Sequence, residues 1–169
     1  MRLFMLRWCG VLSTLLLVSA CGGSPETIRP QQATTAEVSA FLQEALETEP
    51  VLGYDDLVAR LGPPARVKAK PADGQDSLRT MIYYGMEVAL HEGAASSRLV
   101  WVAFTGARYT SPEGLRVGYA ESEVVNILGL PARREATLLV YEKETPQPCT
   151  LMVFLEHRAI SRLEWRFSE

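Results

Sequence analysis

The residues of this chain whose types could do chemistry are two histidines, three cysteines and a few paired carboxylates. His91 stands beside Glu92, and His157 between Glu156 and Arg158. A zinc site needs about three protein ligands at matched spacing, and no Cys/His cluster supplies them. The acid pairs Asp55/Asp56 and Glu121/Glu123 could share acid–base work, but each opens a helical pattern, where capping and the helix dipole already account for acids. There is no G-x-S-x-G elbow, no H-E-x-x-H motif and no Walker glycine loop. The expectation is a non-enzymatic protein with no catalytic residue, no metal and no cofactor. An envelope hydrolase would instead need a histidine, Cys149 or a carboxylate set in a cleft. The candidates that remain are binding residues. Arg66 and Arg133 (with Arg134 beside it) follow the prolines of two equivalent phrases and could grip an anionic ligand. Tyr83, Tyr84, Trp101, Tyr109, Tyr119 and Trp165 lie in or beside strand patterns; such rings serve binding when exposed and cores when buried.

The cysteines carry a second message. Met1 to Arg7 holds two positive charges and no acid, an apolar run spans Trp8 to Val18, and Ser19-Ala20 closes it. That order is the one of a cleavable secretory signal. The apolar run is about a dozen residues, short of the roughly 20 that a membrane-spanning helix needs. Val18-Ser19-Ala20-Cys21 resembles the lipobox of bacterial lipoproteins, in which cleavage precedes a cysteine that is then acylated. The resemblance implies that residues 1–20 are a signal peptide and that Cys21 carries palmitate-type chains. Gly22 in place of an Asp implies the outer membrane, with the body facing the periplasm. One acyl chain holds a protein weakly and two or more hold it stably. With Cys9 removed and Cys21 acylated, Cys149 is left alone and no internal disulfide can form. Its apolar neighbours Leu151, Met152 and Val153 mark it as a buried small group, and a reactive thiol is the other reading.

Without residues 1–20, 15 of the 17 basic residues remain against 20 acidic ones, a net charge of −5. No long basic run appears, so the footprint of a nucleic-acid binder is absent. Residues 21–33 are rich in Gly, Ser, Pro, Thr and Gln and read as a flexible tether that spans at most about 40 Å. Residues 34–169 are one domain's worth of chain.

That domain opens on a helix. Thr34-Thr35-Ala36-Glu37 matches a capping box, Val38, Phe41, Leu42, Ala45 and Leu46 recur at helical spacing, and Pro50 stops the run. An internal repeat follows: Leu61-Gly62-Pro63-Pro64-Ala65-Arg66 returns as Leu128-Gly129-Leu130-Pro131-Ala132-Arg133. A short helix precedes each copy, Asp55 to Leu61 and Glu121 to Leu128. The glycine is expected to end it in a left-handed turn. Strand patterns come after, at Met81–Leu90 and Arg98–Phe104, then at Thr137–Tyr141, Cys149–Leu155 and Ser161–Phe167. Turns are expected at Thr105-Gly106 and near Glu156-His157-Arg158. The first copy is longer, with extra loop residues at 71–76 and 91–97. The expected fold is α+β, with two tandem helix-then-antiparallel-strand units at about 53–110 and 114–167, and short helices on one face of the sheet.

Gly118, Leu128, Gly129, Pro131 and Tyr141, and in the first copy Gly53, Leu61, Gly62, Pro64 and Tyr83 or Tyr84, carry a further resemblance. The pattern is similar to the small outer-membrane lipoproteins of the SmpA/OmlA type and the β-lactamase-inhibitor-like fold they share. Those lipoproteins have essentially one unit where this chain repeats the phrase, so what the resemblance implies is a shape used for protein contacts. The expected function is a lipid-anchored scaffold that binds an envelope protein. The alternative is an inhibitor-like protein gripping a peptide, cell-wall fragment or lipid. Tyr83, Tyr84, Arg66, Arg133 and Trp101 are the expected contact residues, and the membrane is a partner through Cys21.

Overall fold

The computed structural model describes residues 32–48, 52–72, 76–144 and 148–168. The signal segment, Cys21, most of the tether and Pro50 lie outside the described residues. Helix α1 (Thr35–Glu47) starts where its capping box places it: the Thr34 side chain accepts from the Glu37 N–H, and the Glu37 carboxylate accepts from the Thr34 N–H at 2.7 Å. Its stripe of Val38, Phe41, Leu42, Ala45 and Leu46 is buried. Helices α2 (Tyr54–Leu61) and α3 (Glu121–Leu128) use half of the same device. Asp56 accepts from the Gly53 N–H at 2.9 Å and Glu123 from the Ala120 N–H at 2.7 Å, satisfying donors that the first turn leaves unpaired.

The glycines that close α2 and α3 go beyond a left-handed turn. Gly62 has φ 76°, ψ 177° and Gly129 φ 80°, ψ −159°, a region open in practice to glycine alone. A Cβ built on Gly129 would meet nothing within 4 Å. Gly129→Ala therefore isolates backbone strain and is expected to cost about 2 kcal/mol, read as a lower urea midpoint at constant m.

Eight strands form one antiparallel sheet: β1 (Arg66–Pro71), β2 (Ser77–Tyr83), β3 (Met86–Glu92), β4 (Ser97–Phe104), β5 (Arg133–Glu135), β6 (Leu138–Lys143), β7 (Cys149–Glu156) and β8 (Ala159–Phe167). Their order across the sheet is β1-β2-β3-β4-β8-β7-β6-β5. This corrects the expectation of two tandem helix-and-strand units. β4 pairs with β8 (Trp101 with Arg166, Val102 with Trp165, Ala103 with Glu164, Phe104 with Leu163), so the described strands make a single sheet. The physical reason lies in those strands. Val102, Phe104, Leu163 and Trp165 are fully buried in the paired sheet, and separate units would have left each strand as an apolar open edge.

Two further differences concern strands. The run Met81–Leu90 is split by a tight turn at Tyr84-Gly85, with Gly85 at φ 80°. β1 and β5 lie on the outer edges, where their exposed, charge-rich sequences left no burial pattern to read.

Along the six inner strands the inward residues meet the helices. Met81, Met86, Val88, Val102, Phe104, Leu139, Leu151, Val153, Leu163 and Trp165 join Val38, Phe41, Leu42, Leu57, Leu61 and Val124 in one core. Trp165 sits at its centre, edge-on to Phe104 with ring centroids 5.1 Å apart. None of the described helices is long and apolar enough to cross a membrane.

Candidate functional site

β8 alternates Leu163, Trp165 and Phe167 with Arg162, Glu164 and Arg166, and a strand sends successive side chains to opposite faces. The apolar set enters the core beneath the helices. The charged set stands on the other face, which the three helices leave open. Register places Arg166 beside Trp101 and Thr150, and Glu164 between Ala103 and Met152. Glu87 lies beyond Ala103 in the same row.

A connected ion-pair network results. Arg162 donates from Nε to Glu164 at 2.8 Å and from Nη1 to Glu87 at 2.8 Å, and Arg166 Nε donates to the other Glu164 oxygen at 2.6 Å. Glu164 is 4% exposed, because both arginines and their neighbours close over it. The Arg162 guanidinium lies 5.2 Å from the Trp101 ring centroid, which orients the charge over the indole. Ala89 and Ala103 are the small residues between these taller groups, and Ile82, Met152 and Phe154 add partly exposed apolar surface. The arrangement is an amphipathic platform rich in guanidinium donors around one tryptophan. Its two carboxylates are engaged by arginines and so held as structural acceptors.

Of the residues expected to make contacts, Trp101 alone stands in this platform. Tyr83 is buried on the helical side. Among the described residues its hydroxyl finds no partner, and burial pushes the phenol well above its ordinary pKa. Tyr84 is at the tip of the β2–β3 turn, 73% exposed. Arg66 and Arg133 occupy opposite margins, seven strand spacings apart along one row. That separation is about 34 Å, so they cannot clamp one small anion together.

His91 proves to be in β3, with Nε2 3.5 Å from Asp76, and His157 is on the β7–β8 turn at φ 51°. The longer loop at 91–97 reduces to the β3–β4 hairpin, whose strands include both ends of that stretch. No group of three His, Cys, Asp or Glu among the described residues could hold a metal ion. Cys149 is a free, buried thiol whose pKa burial raises, an unreactive setting. Its cross-strand neighbour Lys143 reaches over to pair with Glu113, tying the 105–120 segment to the sheet.

Shallow depressions lie on the helical side, two of them beside charged helix residues. One, about 280 Å³, is bordered by Phe41, Glu44 and Arg60 between α1 and α2. The other, about 230 Å³, lies at the start of α3. There Glu121, expected only to favour the helix dipole, is nearly buried and binds Arg134 and Arg158. It thereby joins α3 to β5 and to the β7–β8 turn. The sequence carries a legible signal for the platform. Arg-x-Glu-x-Arg at period two places three charges in line.

No family model and no curated protein matches this chain. Among solved structures, the crystal structure of a DUF4309 family protein (YjgB) from Bacillus subtilis matches with a TM-score of 0.45 and 14% identity. That likeness covers 80% of this chain and 98% of the other.

Proposed function

We propose that this chain is a lipid-anchored, non-enzymatic cell-envelope protein, held through Cys21 to the periplasmic side of the outer membrane, that binds an envelope protein with the open face of its sheet. The observation that supports this reading is the partly exposed Trp101 with the Arg162 guanidinium over its ring, on a face that the described helices leave bare. Tryptophan and arginine are the residues most enriched where binding energy concentrates. In register Trp101 is flanked by Ala89 and Arg166, a small residue on one side and a long cation on the other.

The test is cross-linking in membranes followed by affinity capture of the intact protein. Trp101→Ala is expected to lower recovery of a defined envelope protein by about tenfold or more, the loss of a central anchor. Leu130→Ser, at an exposed position on α3's side of the molecule, should leave recovery unchanged. Equal recovery from wild type and Trp101→Ala would remove the platform from the mechanism. Capture of cell-wall fragments or lipid in place of a protein would favour the ligand-gripping alternative.

A further inference from the structure

We infer that the outer edge strand β1 is the surface on which the domain rests against anionic lipid, an inference that builds on the proposed acylation of Cys21. β1 carries Arg66, Lys68 and Lys70, no acid, and is exposed along its whole length. Pairing with Ile82, Thr80 and Leu78 puts the three cations in one row on the open side of the sheet, alternating with Val67 and Ala69. Among the described residues these three side chains make no ion pair or hydrogen bond. The other described lysines and arginines each have a polar or aromatic partner. The acid next along the Arg66 row is Glu87, and Arg162 already holds it. The result is a line of uncompensated positive charge on a protein whose body is net negative.

The place of that line selects its occupant. The Ala33 N–H donates to the Leu61 carbonyl at 3.0 Å, so the chain coming from Cys21 enters the domain at the end of α2, five residues before Arg66. The same corner therefore holds the entry from the anchor and the start of the basic row. The twelve residues from Cys21 to Ala33 allow a reach of at most about 40 Å, which tethers β1 near the bilayer and lets it come into contact. Of the acids of the helical layer, Glu37 near the entry is engaged by Thr34, Glu44 by Arg60 and Asp56 by the Gly53 N–H. Lysine on an edge strand also discourages pairing with another sheet. A single charge would achieve that, whereas three on one face beside the entry make an electrostatic contact. Each basic residue near an anionic surface is worth about fivefold in occupancy, so three give on the order of a hundredfold.

The experiment uses the acylated protein in vesicles of phosphatidylcholine alone and of phosphatidylcholine with phosphatidylglycerol, followed by hydrogen exchange of the β1 amides. Exchange over residues 66–70 is expected to slow severalfold on the anionic vesicles only. The difference should vanish at high salt, where screening shortens to a few Å, and in Arg66→Glu/Lys68→Glu/Lys70→Glu. Equal exchange on the two lipids in the wild type overturns the inference, as does a lipid difference that survives in the triple variant. Protection by an added glutamate-rich peptide but not by phosphatidylglycerol also overturns it, assigning the strand to an acidic protein partner. Fatty-acid label on Cys21 is read in the same preparation, so failure of acylation is seen separately from failure of the β1 contact.

Discussion

Cys21→Ala is expected to abolish incorporation of labelled palmitate and, in a chain whose replacement signal is cleaved before Gly22, to move the protein from the membrane to the soluble fraction. The size of the effect follows from hydrocarbon transfer. Each buried methylene contributes about 0.8 kcal/mol, and two or more long chains make release negligible on a cellular timescale. Nothing else proposed for the molecule substitutes for that energy. The basic row on β1 offers on the order of a hundredfold in occupancy, which salt removes, against an acyl anchor that salt leaves intact. A membrane fraction washed at high salt should therefore retain the wild type and lose the soluble form almost completely. Persistence of the label in Cys21→Ala would place acylation on another residue, and the lipobox reading would fall. The replacement signal matters because an uncleaved apolar segment could itself hold the chain to the bilayer.

Arg162→Met is expected to destabilise the domain by about 2–3 kcal/mol, the larger of the two substitution effects on stability described for this molecule. The side chain of Arg162 is what separates Glu87 from Glu164: both carboxylates lie 2.8 Å from its nitrogens. Methionine preserves the apolar stem but leaves the two acids facing each other on one sheet face. Removing one partner of a fully buried pair costs about 3–5 kcal/mol; the lower figure applies here because Arg162 and Glu87 keep 25% and 27% of their side chains exposed. Arg166 continues to hold Glu164, which limits the loss further. Adding Glu87→Gln removes the stranded charge, so the double variant should recover a large part of the stability, a coupling that a double-mutant cycle isolates. Equilibrium urea unfolding reads both. A change within 0.5 kcal/mol for Arg162→Met would mean the network is a solvated surface feature, as exposed pairs usually are. The same variant also bears on binding, since Trp101 would lose the guanidinium that orients over it.

Much of the local structure was legible in the residues because local structure is decided locally. The Thr34 capping box, the apolar stripe of α1 and the glycine stops at Gly62 and Gly129 each depend on neighbours within a turn of chain. Alternation along β8 likewise told which residues enter the core. Pairing across the sheet was not legible, since nothing in β4 or β8 alone says which strand each will meet. The union of the two halves into one sheet follows from two apolar strands distant in sequence needing the same cover. The edge strands β1 and β5 escaped notice for the opposite reason: an exposed strand has no buried face to print a pattern.

The candidate site divides in the same way. The sequence by itself determined that Arg162, Glu164 and Arg166 share a face, that Tyr83 and Tyr84 are adjacent strand-like aromatics, and that Cys21 ends a lipobox-like segment. Only the tertiary structure decided that Glu87 and Trp101 come up against that face, that Tyr83 is buried while Tyr84 rides an open turn, and that Arg66 and Arg133 stand at opposite margins. The physical reason is that side-chain direction along a strand is set by a two-residue period, whereas neighbours across a sheet are set by which distant strands exclude water together.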